Sequence, residues 1–298
     1  MAEPAVQQSA LEQESPQLVA SFFTLSGGGF TDPPRNTFIE RCEAAAAAGF
    51  SGIGLHADDL PRTHNAGVDV GEMQAVLRVN GLDVVEIEFL AGWALDPGDN
   101  GGVTASLAGI EAVAEAFGGR HVSAGEFRGD IALDSLERLA AAAASLRVNA
   151  DRLARRGLLV AVEAFAWSAI ADIGIASELI ARSGALNAGL MIDVWHFYNT
   201  GGTLEQLIDL PGAGIAAMQL NDGPRVHDDF LRHARAERKL PGEGELDVVG
   251  LIRAAARNRF AGPYCVEVNT PEFRALPVDE AARQAADSAN QVLAAARR

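Results

Sequence analysis

At 298 residues the chain has room for one large α/β domain, since barrels of roughly 250 residues fold as single units. Its formal net charge of -16 repels phosphate backbones and no basic stripe interrupts it, which excludes nucleic acid as an expected partner. Hydrophobic residues make up 48% of the sequence, yet no apolar run reaches the ~18 residues of a membrane-spanning helix, so a membrane is excluded as well. A small polar substrate fits this balance better, and a homo-oligomer is compatible with it. Cys42 and Cys265 fall in a predicted helix and a predicted strand, which reads as two buried thiols and favours the cytoplasm. Residues 1–17 are rich in Gln, Glu and Ser and lack the pattern of a signal peptide, so they read as a disordered tail before a single domain over 18–298.

Strands and helices then alternate. Val19 to Leu25 reads as the first strand, followed by a loop with Gly27-Gly28-Gly29. That triplet reads as a flexible loop, because no P-loop Lys follows it. The next helix opens at a Thr37-x-x-Glu40 capping box and stops at Gly49. Further strands are predicted at 51–55, 83–89, 121–125, 158–165, 188–194, 215–219 and 263–268, with helices near 71–79, 103–117, 133–156, 171–183, 204–208, 246–257 and 278–296. Between Asn221 and Glu245 the chain is polar and charged and reads as the longest irregular segment. Its His227 and His233 read as surface residues.

Eight strand-then-helix units imply parallel strands, and a (β/α)8 TIM barrel is the expected closure. An open doubly wound sheet ranks lower: it would be unusually wide, and no G-x-G-x-x-G follows the first strand. Catalytic groups of such barrels sit at the C-terminal ends of the strands. Glu163, Asp193, Gln219 and Glu267 end four consecutive predicted strands, on the residues whose alternation points inward. Three carboxylates and an amide facing one mouth suit a hard or borderline divalent ion, and no basic residue inside those strands pairs with them. Any single one of them would be equally well explained as a paired barrel residue. His56 and Glu88 also fall at strand ends and are weaker candidates for lining the mouth. Trp167, Trp195 and Phe197 are candidates for its wall.

Several runs resemble the sugar phosphate isomerase/epimerase superfamily of xylose isomerase-like barrels. They are Val162-Glu163-Ala164, the Asp193-x-x-His196 and Gln219-x5-Arg225 steps, Pro241-Gly242-Glu243-Gly244-Glu245, and Val266-Glu267-Val268. The resemblance covers about Ser21 to the C-terminus and is strongest from Leu158 onward. It implies a metal held by Glu163, Asp193, Gln219 and Glu267, with Mn2+ expected first and Mg2+, Co2+ or Zn2+ as alternatives. It also implies proton transfer by Glu163 and Glu267, and substrate oxygens bound by His196 and Arg225; His56, Glu88 and Trp195 are candidate substrate contacts from their positions in the predicted elements alone. Gln219 is similar to the hydroxypyruvate isomerases, whereas the ketose 3-epimerases carry His there. The implied activity is a metal-dependent isomerase or epimerase of a sugar or keto-polyol, working through a metal-stabilised ene-diolate. The alternative is a lyase on the same site, such as an inosose-type dehydratase. An abasic-site endonuclease shares the superfamily fold but fits poorly with the acidic charge and six histidines.

Overall fold

The computed structural model describes residues 16–94, 101–127, 133–210 and 214–298, the side chains of 101–103 excepted. Residues 1–15 of the expected tail lie outside the described residues. Eight parallel strands form a closed barrel in sequence order: β1 (Leu18–Ala20), β2 (Gly52–His56), β3 (Asp83–Leu90), β4 (His121–Ala124), β5 (Leu159–Glu163), β6 (Ala188–Asp193), β7 (Ile215–Leu220) and β8 (Tyr264–Val266). β8 closes on β1 with Leu18 opposite Tyr264 and Ala20 opposite Val266. The interior is filled by small and medium side chains, Val19, Val85 and Cys265 in one cluster and Ala161, Met191, Ala216 and Ala217 in another. The larger core lies between the strands and the surrounding helices.

Local chemistry explains most boundaries. Thr37 accepts from the Glu40 backbone and the Glu40 carboxylate accepts from the Thr37 backbone, so the expected capping box starts the helix Phe38–Ala47. Gly49 follows its end at φ +89°, a conformation that L side chains rarely adopt. The first strand is shorter than the expected 19–25. It ends at Ala20, Ser21 turns its hydroxyl to Glu86, and Phe22–Ser26 becomes a short helix whose Thr24 donates to the Val266 carbonyl. The segment 221–245 is not wholly irregular either, because it contains the helix Phe230–Ala236. Short helices at Asp59–Asn65, Val194–Asn199 and Pro271–Arg274 were also unmarked by periodicity, being too short to repeat it.

Candidate active site

The strand ends open into a cavity of about 360 Å3 whose polar lining includes Glu88, Glu163, His196, Gln219, Arg238 and Glu267. The register explains the gathering: Asp193 on β6 is opposite Gln219 on β7, and Gln219 is opposite Cys265 on β8, two residues before Glu267. His56 and Glu88 are register partners on β2 and β3 and both line the same cavity. Asp193 does not line it. Its Oδ1 accepts from the His196 backbone, capping the helix Val194–Asn199, and its Oδ2 accepts from Asn221 Nδ2 at 2.6 Å and Arg238 Nη1 at 3.1 Å.

Arg238 is the residue that sequence reasoning missed. Its Nη1 also donates to Glu267 Oε2 at 2.5 Å, and its Nη2 to His196 Nε2 at 2.9 Å. Arg225, expected from the resemblance to bind substrate oxygens, is exposed; its guanidinium lies over the Tyr198 ring at 5.0 Å and it does not line the cavity. The reason is an excursion of the chain. An antiparallel bridge pairs Asp222 with Lys239, and the Asp222 carboxylate accepts from the backbones of Gly242 and Leu246. Residues 223–238 therefore leave the end of β7 and return to it, and Arg238 is delivered on the return. Counting back from the Pro241-Gly242 turn, rather than forward from Gln219, would have found it.

Electrostatics divide these groups. Burial, followed by the charges of Glu267 and Asp193, holds the Glu163 carboxyl well above the usual carboxylate range. The Arg238 charge acts the other way on Glu163, but its ion pair is with Glu267. Burial pushes the Glu267 carboxyl up to about 7 even with Arg238 against it. Burial, then the Glu86 charge, also holds Glu88 well above its ordinary value. The His196 imidazole is pushed down to about 3 by burial, so it is neutral. Because Arg238 can only donate, His196 accepts at Nε2 and carries its proton on Nδ1, which is buried without a partner.

One wall of the cavity is aromatic. Phe89, Phe127, Phe165 and Trp167 pack in series with ring centroids 4.5, 5.1 and 5.4 Å apart, and Phe165 meets the His196 ring edge-on at 5.0 Å. Gly125 is required beside it, because a Cβ there would lie 2.2 Å from the Phe165 ring. The loop after the glycine triplet adds Phe30 and Thr31 to the lining. Trp167 is thus a wall residue, whereas Trp195 and Phe197 are not. Trp195 is fully buried, edge-on to His196 at 5.2 Å with Arg238 5.7 Å from its ring centre, so it supports those side chains from behind. Phe197 is buried in the core that packs against the barrel.

The donor set fits a divalent cation. Glu163, Asp193 and Glu267 ionised carry three negative charges against the single positive charge of Arg238, a deficit that one divalent ion closes. Gln219 Oε1 is buried without a partner, the mark of an acceptor awaiting a cation or donor. Asp193 has used three of about four acceptor positions and retains one. With Arg238 between Asp193 and Glu267, the acidic groups stand apart. Among the described residues, the cluster whose potential ligand atoms all lie within 4.8 Å of one another is Glu86, His121 and Cys265.

The family model of xylose isomerase-like TIM barrels matches residues 42–292. The chain belongs to that family. Within it, the chain is 29% identical over 257 residues to a 3-dehydroshikimate dehydratase of Pseudomonas aeruginosa, covering 81% of this chain and 37% of the relative. It is 26% identical over 120 residues to an inosose isomerase of Halalkalibacterium halodurans, covering 40% of this chain and 42% of that one. The matches thus cover less than half the length of each of these relatives. Among solved structures, the IOLI protein with a bound zinc atom superimposes with a TM-score of 0.82 at 18% identity, covering 94% of this chain and 98% of that one. A xylose isomerase-like TIM barrel/4-hydroxyphenylpyruvate dioxygenase fusion protein gives 0.78 at 23%, covering 92% and 42%. These two likenesses concern the shared barrel fold. Relatives in this family are named as dehydratase, isomerase and epimerase. Among the described residues no helix is long and apolar enough to cross a membrane.

Proposed function

We propose that the chain is a divalent-metal-dependent dehydratase of a cyclic polyhydroxy ketone. The observation that carries this reading is the asymmetry of the two cavity glutamates: Arg238 forms its 2.5 Å ion pair with Glu267 and acts on Glu163 only through its charge. One carboxylate suffices to carry the proton in β-elimination, while epimerisation asks for two proton carriers on opposite faces. The aromatic wall from Phe89 to Trp167 supports a ring substrate with one flat, poorly hydroxylated face. Arg235 also lines the cavity and makes no hydrogen bond or ion pair among the described residues, which favours a substrate bearing an anionic group.

Glu163, Asp193, Gln219 and Glu267 would hold the ion, Mn2+ first among the candidates. Bound there, it supplies positive charge against the ketone oxygen as negative charge develops on it. The remaining work falls to side chains. Glu163 takes the proton from the carbon beside the ketone, and the C–H electron pair moves into the enolate. As the enolate collapses, the β-hydroxyl departs and takes that proton as water, leaving an unsaturated ketone and an ionised Glu163. Neutral His196 donates its Nδ1–H to a substrate oxygen, and Arg238 keeps its Nε2 occupied so that this tautomer persists. Glu88, whose Oε2 is buried without a partner, offers a further contact to a hydroxyl from the same cavity.

An isomerase is the second reading, favoured by the presence of both Glu163 and Glu267 on the cavity. Incubation of Mn2+-loaded protein in D2O with 3-dehydroshikimate, keto-inositols and ketoses decides between them. Loss of water with an ultraviolet-absorbing product supports the dehydratase. Deuterium entering carbon with the hydroxyls retained would replace it with the isomerase.

A further inference from the structure

One layer below the cavity, Glu86 is fully buried and does not line it. Its Oε2 accepts from Ser21 Oγ at 2.6 Å, and its Oε1 accepts from Gln219 Nε2 at 3.3 Å and Ser123 Oγ at 3.4 Å, with His121 Nε2 at 3.5 Å. The surroundings are built for it. A Cβ at Gly54 would stand 3.0 Å from Glu86 Oε2 and 2.9 Å from the Phe22 nitrogen, so the glycine leaves the carboxylate its space. A register shift between Ile53 and Gly54, opposite Val84 and Glu86, brings Glu86 level with Gly54.

We propose that Glu86 is a positioning residue that fixes which end of the Gln219 amide faces the cation, an inference that rests on the metal-holding role proposed for Gln219. A primary amide has a donor end and an acceptor end, and only the acceptor end serves a cation. A carboxylate has acceptors alone, so it draws the Gln219 NH2 toward itself and leaves Oε1, buried without a partner, as the unused acceptor of a side chain that lines the cavity. This is the arrangement by which a carboxylate behind a metal-binding histidine sets its tautomer, with an amide in the imidazole's place. Ser21 anchors the other oxygen, Oε2, and Ser123 shares Oε1 with Gln219, so the Glu86 carboxylate is held at both ends. Cys265 and His121 lie in the same cluster as Glu86.

Co2+ titration of metal-free protein, followed by visible absorption and chelator competition, tests the role without an activity assay. Wild-type protein is expected to bind one ion per chain, and E86Q to bind it about 10- to 100-fold more weakly, with unchanged circular dichroism. The E86Q/Q219E double variant exchanges donor and acceptor between the two positions and is expected to recover most of the affinity, which a merely structural role for Glu86 would not produce. Should E86Q fail to fold, Gln219→His reads the same relationship, since its imidazole N–H faces Glu86 while its other nitrogen faces the ion. That variant is expected to bind Co2+ with an altered spectrum, and its failure to bind would overturn the proposal. E86Q with wild-type affinity, or a second ion per chain that C265S abolishes, would also overturn it. A wild type that takes up no divalent ion overturns the metal reading itself and this inference with it.

Discussion

Arg238 Nη1 lies 2.5 Å from Glu267 Oε2, and this contact places a cation inside the ring of acidic strand ends. The same nitrogen reaches Asp193, so one guanidinium offsets part of the charge that three buried carboxylates bring together.

Removing that guanidinium separates its two effects. R238M is expected to retain or strengthen Mn2+ binding, because a competing positive charge is gone, and to lose at least ~10²-fold in turnover as His196 loses its partner. R225A, outside the cavity, is expected to stay within about threefold of wild type. Steady-state kinetics and metal titration on the two variants check both expectations; equal effects would return Arg225 to the site.

The glutamates are expected to behave unequally. E163Q leaves size and one acceptor oxygen but no base, and a loss of about 10²- to 10⁴-fold in turnover is expected with metal retained. E267Q keeps measurable turnover under the one-base reading. Matching losses of both turnover and solvent-hydrogen exchange in the two variants would favour the two-carboxylate isomerase.

Acidity acts on the metal-free protein in a definite direction. Burial takes Glu267 from 4.5 to about 7 on folding, so the folded state holds its proton more tightly than the unfolded chain does. Glu163 and Glu88 shift the same way. The resulting stability is complete below the unfolded value and is lost as pH rises through the folded one. His196, lowered from 6.5 to about 3, acts the opposite way below pH 6.5, so in the presence of a chelator the melting temperature is expected to fall between about pH 6.5 and pH 8, and saturating Mn2+ is expected to flatten that slope by replacing protons. A chelated protein whose melting temperature rises over that range contradicts the assignment.

Away from the site, Arg41 and Asp59 form a bidentate pair at 3.0 and 2.8 Å, each 1% exposed. Truncating one partner leaves the other charge buried, so D59A is expected to cost about 3–5 kcal/mol in urea unfolding. The metal-binding constant of the folded variant is expected to stay at the wild-type value.

Much of this arrangement follows from short-range patterns. Thr37 and Glu40 cap their helix with groups three residues apart, and the strands that end at Glu163 and Asp193 are continuous apolar runs, so neighbours in the chain carry the signal. The short helix Val194–Asn199 escaped because its side chains, Val194 to Tyr198, are buried all round and show no polar face.

The sequence by itself determined the alternation of strands and helices, the barrel class, and the polar residues at the ends of β5 to β8. Each of these is encoded in local periodicity and in the rule that parallel strands point their C-terminal ends the same way. Tertiary structure alone decided which side chains meet. Arg238 rather than Arg225 reaches the cavity because the Asp222–Lys239 bridge returns the chain to β7, and that bridge joins residues whose separation in sequence carries no periodic signal. Glu86 meets Gln219 across 133 positions of sequence because barrel closure brings β3 and β7 to face one another, a proximity that no spacing along the chain records.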